Sequence, residues 1–376
     1  MSIVIDIHAL QTIPPSLINR DDMGAPKSAI FGGVPRQRVS SQSWKRAIRR
    51  SFELTSEGMD VGLRSKRLPE QIVKRVLASG ELTAPEALAA VQQLFKVAKI
   101  DLEVAKKKDD EAGGIDEIAY PTTKYLLFLS PEQINRAAEE IVAKNGEKFK
   151  KAEADAILDT KHSVDIAMFG RMLADAPMYN VDASVQVSHA LSVHESQPEF
   201  DYYTAVDDVV EDAEETGAGM IGTTQMMSST LYRFATVNLD GLAENLDSGE
   251  AAIIAAKGFI SAFAESLPTG KQNSFAHNTL PELMYVAIRD TRSISLVNAF
   301  EEPVESSVVN RRLRAAEKLA GEERSIEEAY GMKPMAAFVV ALNNFGEPFH
   351  DLAEKVTMSE LLDRVESFLC DRSEVK

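Results

Sequence analysis

Two stretches far apart in the chain share a period of two. Ile3, Ile5 and Ile7 alternate with Asp6 and His8 from Ile3 to Ala9, and a similar alternation returns from Ser228 to Leu239. Alternation places every second side chain on one buried face, so the first stretch predicts a strand leading from edge to core and the second a central strand. Helical patterns fill much of the interval. Pro69 to Lys99 reads as two helices, with Ala84 to Lys99 the clearer, and Ser130-Pro131-Glu132 opens another with proline at its first position. Thr122 to Leu129, Val164 to Met168 and Ala183 to Ala190 read as strands, and Asn19 to Pro35 as a Gly- and Pro-rich loop followed by a short strand, Gln37 to Val39. Further on, Ala251 to Ser266, Val308 to Ala320 and Met358 to Cys370 read as helices, and Met284 to Arg289 and Ser293 to Phe300 as strands. A chain that leaves a sheet for long insertions and returns to it is α+β, with helices on one face of the sheet. At 376 residues it is long enough for one large or two medium domains.

The charge distribution narrows the function. The net charge is −17, which taken alone argues against a nucleic-acid partner. From Arg20 to Arg50, however, eight basic residues (Arg20, Lys27, Arg36, Arg38, Lys45, Arg46, Arg49, Arg50) face only Asp21 and Asp22, giving +6 here and −23 elsewhere. With a Debye length of about 8 Å in physiological salt, distant acids barely weaken a compact basic patch. The opposite extreme is Glu195 to Gly217, with nine acids, no Lys or Arg, and Phe200, Tyr202 and Tyr203 among them. Aromatic and β-branched residues interrupt the charges, so this segment reads as a projecting arm with some structure. Lys106 to Glu117 reads as a charged connector.

Several catalytic signatures fail on context. Gly217-x-Gly219-x-x-Gly222 has the spacing of a dinucleotide loop, but an acidic run precedes it and a strand-like run follows, so these glycines read as turn residues. The six histidines, including His189 and His194, lack metal-ligand spacing, and no cofactor or metal is expected. The single cysteine, Cys370, allows no intrachain disulfide and reads as a buried small hydrophobe in a C-terminal helix. No apolar run is long enough for a bilayer and the N-terminus has no signal-peptide pattern, so a cytoplasmic protein without a membrane partner is expected. Asp21 and Asp22 have two readings: a Mg²⁺ site for phosphodiester cleavage, or a carboxylate capping the turn and pairing with Arg20.

The densest signal runs from Asn19 to Ala47. It holds Arg20, Lys27, the Gly32-Gly33 pair, and Arg36-Gln37-Arg38-Val39-Ser40-Ser41-Gln42-Ser43-Trp44-Lys45-Arg46-Ala47. Ser40, Ser41 and Ser43 offer N-caps to a helix through Leu54, on which Trp44, Ala47, Ile48 and Leu54 share one face and Lys45, Arg46, Arg49 and Arg50 the other. Serines, an amide and free N–H groups at a helix start suit an anion. An amphipathic surface helix with a solvated basic face explains the same pattern.

This block resembles the N-terminal signature of the CasC family, the backbone subunits of the type I-E CRISPR complex Cascade. Further matching segments occur in order: Val164-Asp165-Ile166-Ala167 with Gly170-Arg171-Met172, Thr204-Ala205-Val206-Asp207-Asp208, Gly222-Thr223, Tyr232-Arg233-Phe234-Ala235 through Asn238-Leu239, Lys271-Gln272, and Asn298-Ala299-Phe300. Gly58 to Lys161 and the chain beyond Phe300 carry no matching motif, and Trp44 stands where the family has an aliphatic residue. The resemblance implies a modified RRM-like, ferredoxin-like palm (1–56, 180–190 and 227–376), helical fingers (57–179) and a β-hairpin thumb (191–226). It implies a non-enzymatic, multi-copy subunit that grips CRISPR RNA independently of sequence. Copies associate head to tail into a helical filament with other Cascade subunits and present the bases for pairing with target DNA in antiviral defence. On this reading Lys27, Lys45 and Arg49 neutralise phosphates. Arg20, Ser40, Gln42 and Arg46 hydrogen-bond phosphate or 2′-OH, Lys271 and Gln272 add a second contact, and Met172 is a wedge against an unstacked base. A core methionine is the other reading of Met172. Two rivals stand beside this reading. One is a type III-like nuclease using Asp21 or Asp22. The other is a scaffold that binds only protein.

Overall fold

The computed structural model describes residues 2–55, 60–103, 119–206, 218–305 and 309–373. The architecture is α+β. A sheet of ten strands contains β1 (Val4–Ser16), β2 (Ser28–Phe31), β3 (Val34–Val39), β4 (Val185–Val187), β5 (Ala190–Ser192), β6 (Glu199–Val206), β7 (Ala218–Asn238), β8 (Leu283–Arg289), β9 (Ala336–Ala341) and β10 (Glu354–Lys355). The path through it is β10-β9-β8-β1-β7-β5-β3-β2, with β4 and β6 also paired to β7. Helices α1 (Ser41–Thr55), α2 (Gly249–Glu265), α3 (Gln272–Phe275), α4 (Arg311–Tyr330) and α5 (Met358–Ser373) connect and follow these strands. The chain divides into two compact units: Met1–Ser51, Gln186–Leu239 and Ala256–Lys376 in one, Phe52–Val185 and Asp240–Ala255 in the other.

In the first unit β1 lies at the centre. Ile5 and Ile7 pair with Val237 and Ala235 of β7 on one side and with Ile288 and Val286 of β8 on the other, all antiparallel. Both faces of β1 are covered, so the polar members of its alternation are buried too. A buried polar group needs a partner. Asp6 accepts from the Arg289 guanidinium at 3.1 Å and the Ile294 N–H at 2.8 Å, and Arg289 reaches on to Glu323 at 2.6 Å. His8 sits among Tyr232, Phe234 and Tyr285, with Nδ1 at 2.9 Å from the Tyr232 hydroxyl. That hydroxyl also accepts the Leu296 N–H, and burial keeps the His8 ring neutral.

β7 serves two purposes. Met227 to Asn238 pairs with β1, while Met220 to Met226 pairs with β6 as a hairpin. Of the acidic segment Glu195 to Gly217, Glu199–Val206 is one strand of this hairpin; residues 207–217, with most of its acids, lie outside the described residues. Gly222 is inside β7 and not in a turn: the Tyr203 ring lies across it, and an added Cβ would stand 2.4 Å from the ring.

The second unit packs the helices Leu68–Ala78, Ala84–Val97, Pro131–Lys144 and Lys151–Leu158 around Ile72, Val76, Val91, Leu94, Ile134 and Ile141. Ser130 and Gln133 cap the third reciprocally, each side chain accepting the other's N–H at 3.0 Å. The strand expected at Val164–Met168 is a short helix, Val164–Phe169. The Asp165 carboxylate accepts the Gly62 N–H at 2.8 Å and the Ser163 hydroxyl at 2.7 Å, which fixes a helix start in place of a ladder.

Other expectations change in detail. Asn19 to Pro35 is not all loop, since β2 folds back on β3. Ser293 to Phe300 forms no strand and ends in a 3₁₀ turn over Val297–Phe300. Leu54 is 86% exposed, because the buried stripe of α1 is Trp44, Ile48 and Phe52 at four-residue spacing. Cys370 is exposed, one residue past the buried stripe Leu361, Val365, Leu369. Lys106 to Glu117 lies outside the described residues. No helix among the described residues is long and apolar enough to cross a membrane.

The first unit carries a pH signature. His194 is buried, accepts the Thr230 N–H on Nε2 at 3.2 Å, and contacts the Glu195 carbonyl through Nδ1 at 2.6 Å, so the neutral ring satisfies both. Burial pulls its pKa down to about 4 and that of His8 well below its ordinary 6.5. The unfolded chain therefore takes up protons below pH 6.5 that the folded chain refuses, and stability falls as pH drops from 6.5 towards 4. Asp6, raised by burial, acts in the opposite sense at the acid end. The expected slope is about 1.4 kcal/mol per pH unit for each such histidine. His194→Gln should flatten the fall of the urea midpoint between pH 6.5 and 4.5, and an unchanged slope would contradict this account.

Candidate nucleic-acid interface

The interface is built where β1 ends. Leu17 and Ile18 are buried, and the chain then surfaces at Asn19. Asn19 holds two segments together: its Oδ1 accepts the Ser40 N–H at 2.8 Å, and its carbonyl accepts the Lys27 N–H at 3.0 Å. Arg20 follows, exposed, bridged antiparallel to Pro26. The Asp21 carboxylate accepts the Met23 N–H at 3.0 Å and the Ala25 N–H at 2.9 Å, so it closes this turn. The β2–β3 hairpin carries Lys27 and Arg38 on facing strands, the Arg38 N–H donating to the Lys27 carbonyl at 2.9 Å.

β3 runs directly into α1. Ser40 is buried and its Oγ accepts the Ser43 N–H at 3.4 Å, so this hydroxyl is turned to the helix start. The Ser41 N–H donates to His189 Nδ1 at 3.1 Å. Gln42 and Arg46 are exposed, while Lys45 and Arg49 are half-buried; burial lowers the Lys45 pKa.

A third segment joins from α3. Gly270 packs against the backbone of Leu17 and Ile18, where a Cβ would stand 2.3 Å from the Ile18 carbonyl oxygen. The next residues are Lys271, exposed at a left-handed φ of 52°, and half-buried Gln272. The Gln272 amide donates to Asn278 at 2.7 Å. Arg20, Lys27 and the α1 start are therefore held together through Asn19, and Lys271-Gln272 follow a glycine packed on Leu17 and Ile18 in the same unit.

Two residues in the basic block do other work. Arg36 is buried and donates to the carbonyls of Phe31, Ser192, Phe300 and Glu301 at 2.9–3.2 Å, so it is a structural clamp. Trp44 stacks on Arg233, whose guanidinium lies 3.8 Å from the Trp44 ring centroid and 4.1 Å from that of Phe263. Burial lowers the Arg233 pKa to about 9; it remains charged at neutral pH and donates to Gln11 Oε1 at 2.6 Å. Trp44 thus pins α1 to the sheet.

Met172 belongs to the second unit. It is 83% exposed, so it is not a core methionine. Its neighbours are anchored: Arg171 donates to the Tyr179 and Leu158 carbonyls at 2.8 and 3.1 Å, and the Leu173 N–H to Asn180 at 2.6 Å. A flexible apolar side chain is displayed from a fixed base.

A model of the CT1975-like protein family matches residues 5–364. The chain belongs to this family. It is the CasC-like family that the Asn19–Ala47 block resembles. A chain of a CRISPR RNA-guided surveillance complex, pre-nicking, is 33% identical, with a TM-score of 0.81 over 97% of this chain and all of the other. Another, from a CRISPR RNA-guided surveillance complex, is 28% identical, with a TM-score of 0.74 over 97% of this chain and 99% of that one. No curated protein matches. The α+β architecture of this CT1975-like chain is that of those complex subunits.

The close approach at Gly270 is open to test. Gly270→Ala places a methyl against the Ile18 carbonyl and should lower the thermal midpoint, whereas Gly321→Ala, inside α4 with open space at the Cβ position, should stabilise by up to about 1 kcal/mol. Equal effects would contradict the packing described.

Proposed function

We propose that this chain is the repeated backbone subunit of a type I-E Cascade complex and grips CRISPR RNA through its phosphates and riboses. The observation that carries this reading is that Asn19 ties together the segments bearing Arg20, Lys27 and the start of α1, which leads to Gln42, Lys45, Arg46 and Arg49, while Gly270, just before Lys271 and Gln272, packs on the adjoining Leu17–Ile18 backbone. It is supported by likeness to subunits of RNA-guided surveillance complexes. Point charges and amides suit a polyanionic backbone and carry no base code, so the grip is independent of sequence. Sequence is then read by pairing between the guide and target DNA.

In this reading the sheet is an RRM-like palm (1–56, 180–190, 227–376), residues 57–179 form the fingers and 191–226 the thumb. Met172 wedges against a base that leaves the stack. Copies associate head to tail into a filament along the RNA with other Cascade subunits, in the cytoplasm, and the role is structural and not catalytic. The net −17 does not oppose this, because screening confines the contest to the local patch.

The test is RNA binding by the purified protein across a salt series, with unrelated single-stranded sequences. The expected result is similar affinity for each sequence and a steep negative salt slope. Lys27→Ala/Lys45→Ala/Arg49→Ala should flatten that slope by up to about two units, at about 0.7 per phosphate contact. RNA binding that ignores the triple substitution would overturn the roles of Lys27, Lys45 and Arg49, and negligible RNA binding at low salt would favour a scaffold that binds only protein.

A further inference from the structure

The start of α1 is not left open to a ligand. β5 pairs with β3 through Val39↔Ala190, so His189, the preceding residue on β5's side, stands opposite Ser40 where β3 gives way to the helix. Its Nδ1 accepts the Ser41 N–H at 3.1 Å. A nitrogen that accepts carries no proton, so the ring is neutral and Nε2 bears the N–H. The ring is exposed in part, and desolvation, followed by the charges of Arg38 and Lys27, lowers its pKa. An exposed, orientationally fixed, neutral donor therefore stands among the cations of the interface.

We infer that His189 is a further RNA-contacting residue, donating Nε2–H to an acceptor oxygen of the RNA backbone while Nδ1 holds the start of α1. This rests on the RNA-binding reading above. It assigns His189 a different task from its neighbours. Lys27, Lys45 and Arg49 neutralise charge and make binding salt-dependent, whereas a neutral donor adds affinity without displacing counterions. The acceptor is a phosphate oxygen or a ribose 2′-OH, both present along any RNA strand.

The two ring nitrogens separate by substitution. Asn places an amide oxygen where Nδ1 stands and nothing at Nε2. Gln places an amide nitrogen near Nε2 and no acceptor at Nδ1. His189→Asn should keep the urea midpoint of the wild type and weaken binding to a single-stranded RNA about three- to ten-fold, as for one neutral hydrogen bond, with the salt slope unchanged. His189→Gln should keep RNA affinity and lower the urea midpoint, through loss of the helix cap. The same strand as DNA names the acceptor: a loss in His189→Asn on RNA alone points to 2′-OH, and an equal loss on both points to phosphate. Wild-type affinity in His189→Asn would overturn the inference while leaving the RNA grip intact. Lack of RNA binding by the wild type would overturn both.

Discussion

The structure depends on β1 being hydrogen-bonded on both sides. Val4 to Leu10 pairs with β7 and with β8, whose residues lie more than 200 positions away in sequence. Two-sided pairing makes it a central strand, and its side chains are buried on both faces, so Asp6, His8 and Gln11 are buried and tied to Arg289, Tyr232 and Arg233. It also fixes where the chain leaves the sheet. Leu17 and Ile18 are locked in place, and Asn19 emerges at a defined point beside Gly270 and Ser40.

The interface follows from that exit point. Arg20, Lys27 and the start of α1 are close because Asn19 binds the backbone of two segments at once. The loop before Lys271 approaches the end of β1 because Gly270 has no side chain to hold it away. The Trp44–Arg233–Phe263 stack holds α1 to the sheet, and Arg46 and Arg50 are exposed on the helix. Positioning by backbone contacts leaves the charged ends of Lys and Arg to adapt, which suits a polymer whose phosphates repeat while its bases vary.

Much of this was legible in the sequence where the signal is local. The alternation of β1 and β7 and the basic block at Arg20–Arg50 are read within short windows. The acidic arm appeared as a composition shift, and the structure places a hairpin where it begins. Signals that depend on distant partners were misread or invisible. Val164–Phe169 is a short apolar run whose helical state is decided by Asp165 and Ser163. Arg36 looked like its basic neighbours, but four carbonyls from across the unit claim it. Gly270 and His189 carry no sequence signal, since their importance lies in which backbone they meet. Lys271 and Gln272 were reached through family resemblance alone.

The central claim is that three separate segments form one RNA-backbone grip, and lysine reactivity tests it most directly. Acetylation of the protein with and without single-stranded RNA, read by mass spectrometry, should show Lys27, Lys45 and Lys271 losing reactivity together. Lys333 and Lys355, exposed beside β9 and in β10 at the other end of the sheet, should be unchanged. Protection of one segment without the others, or uniform protection of all lysines, would contradict the account.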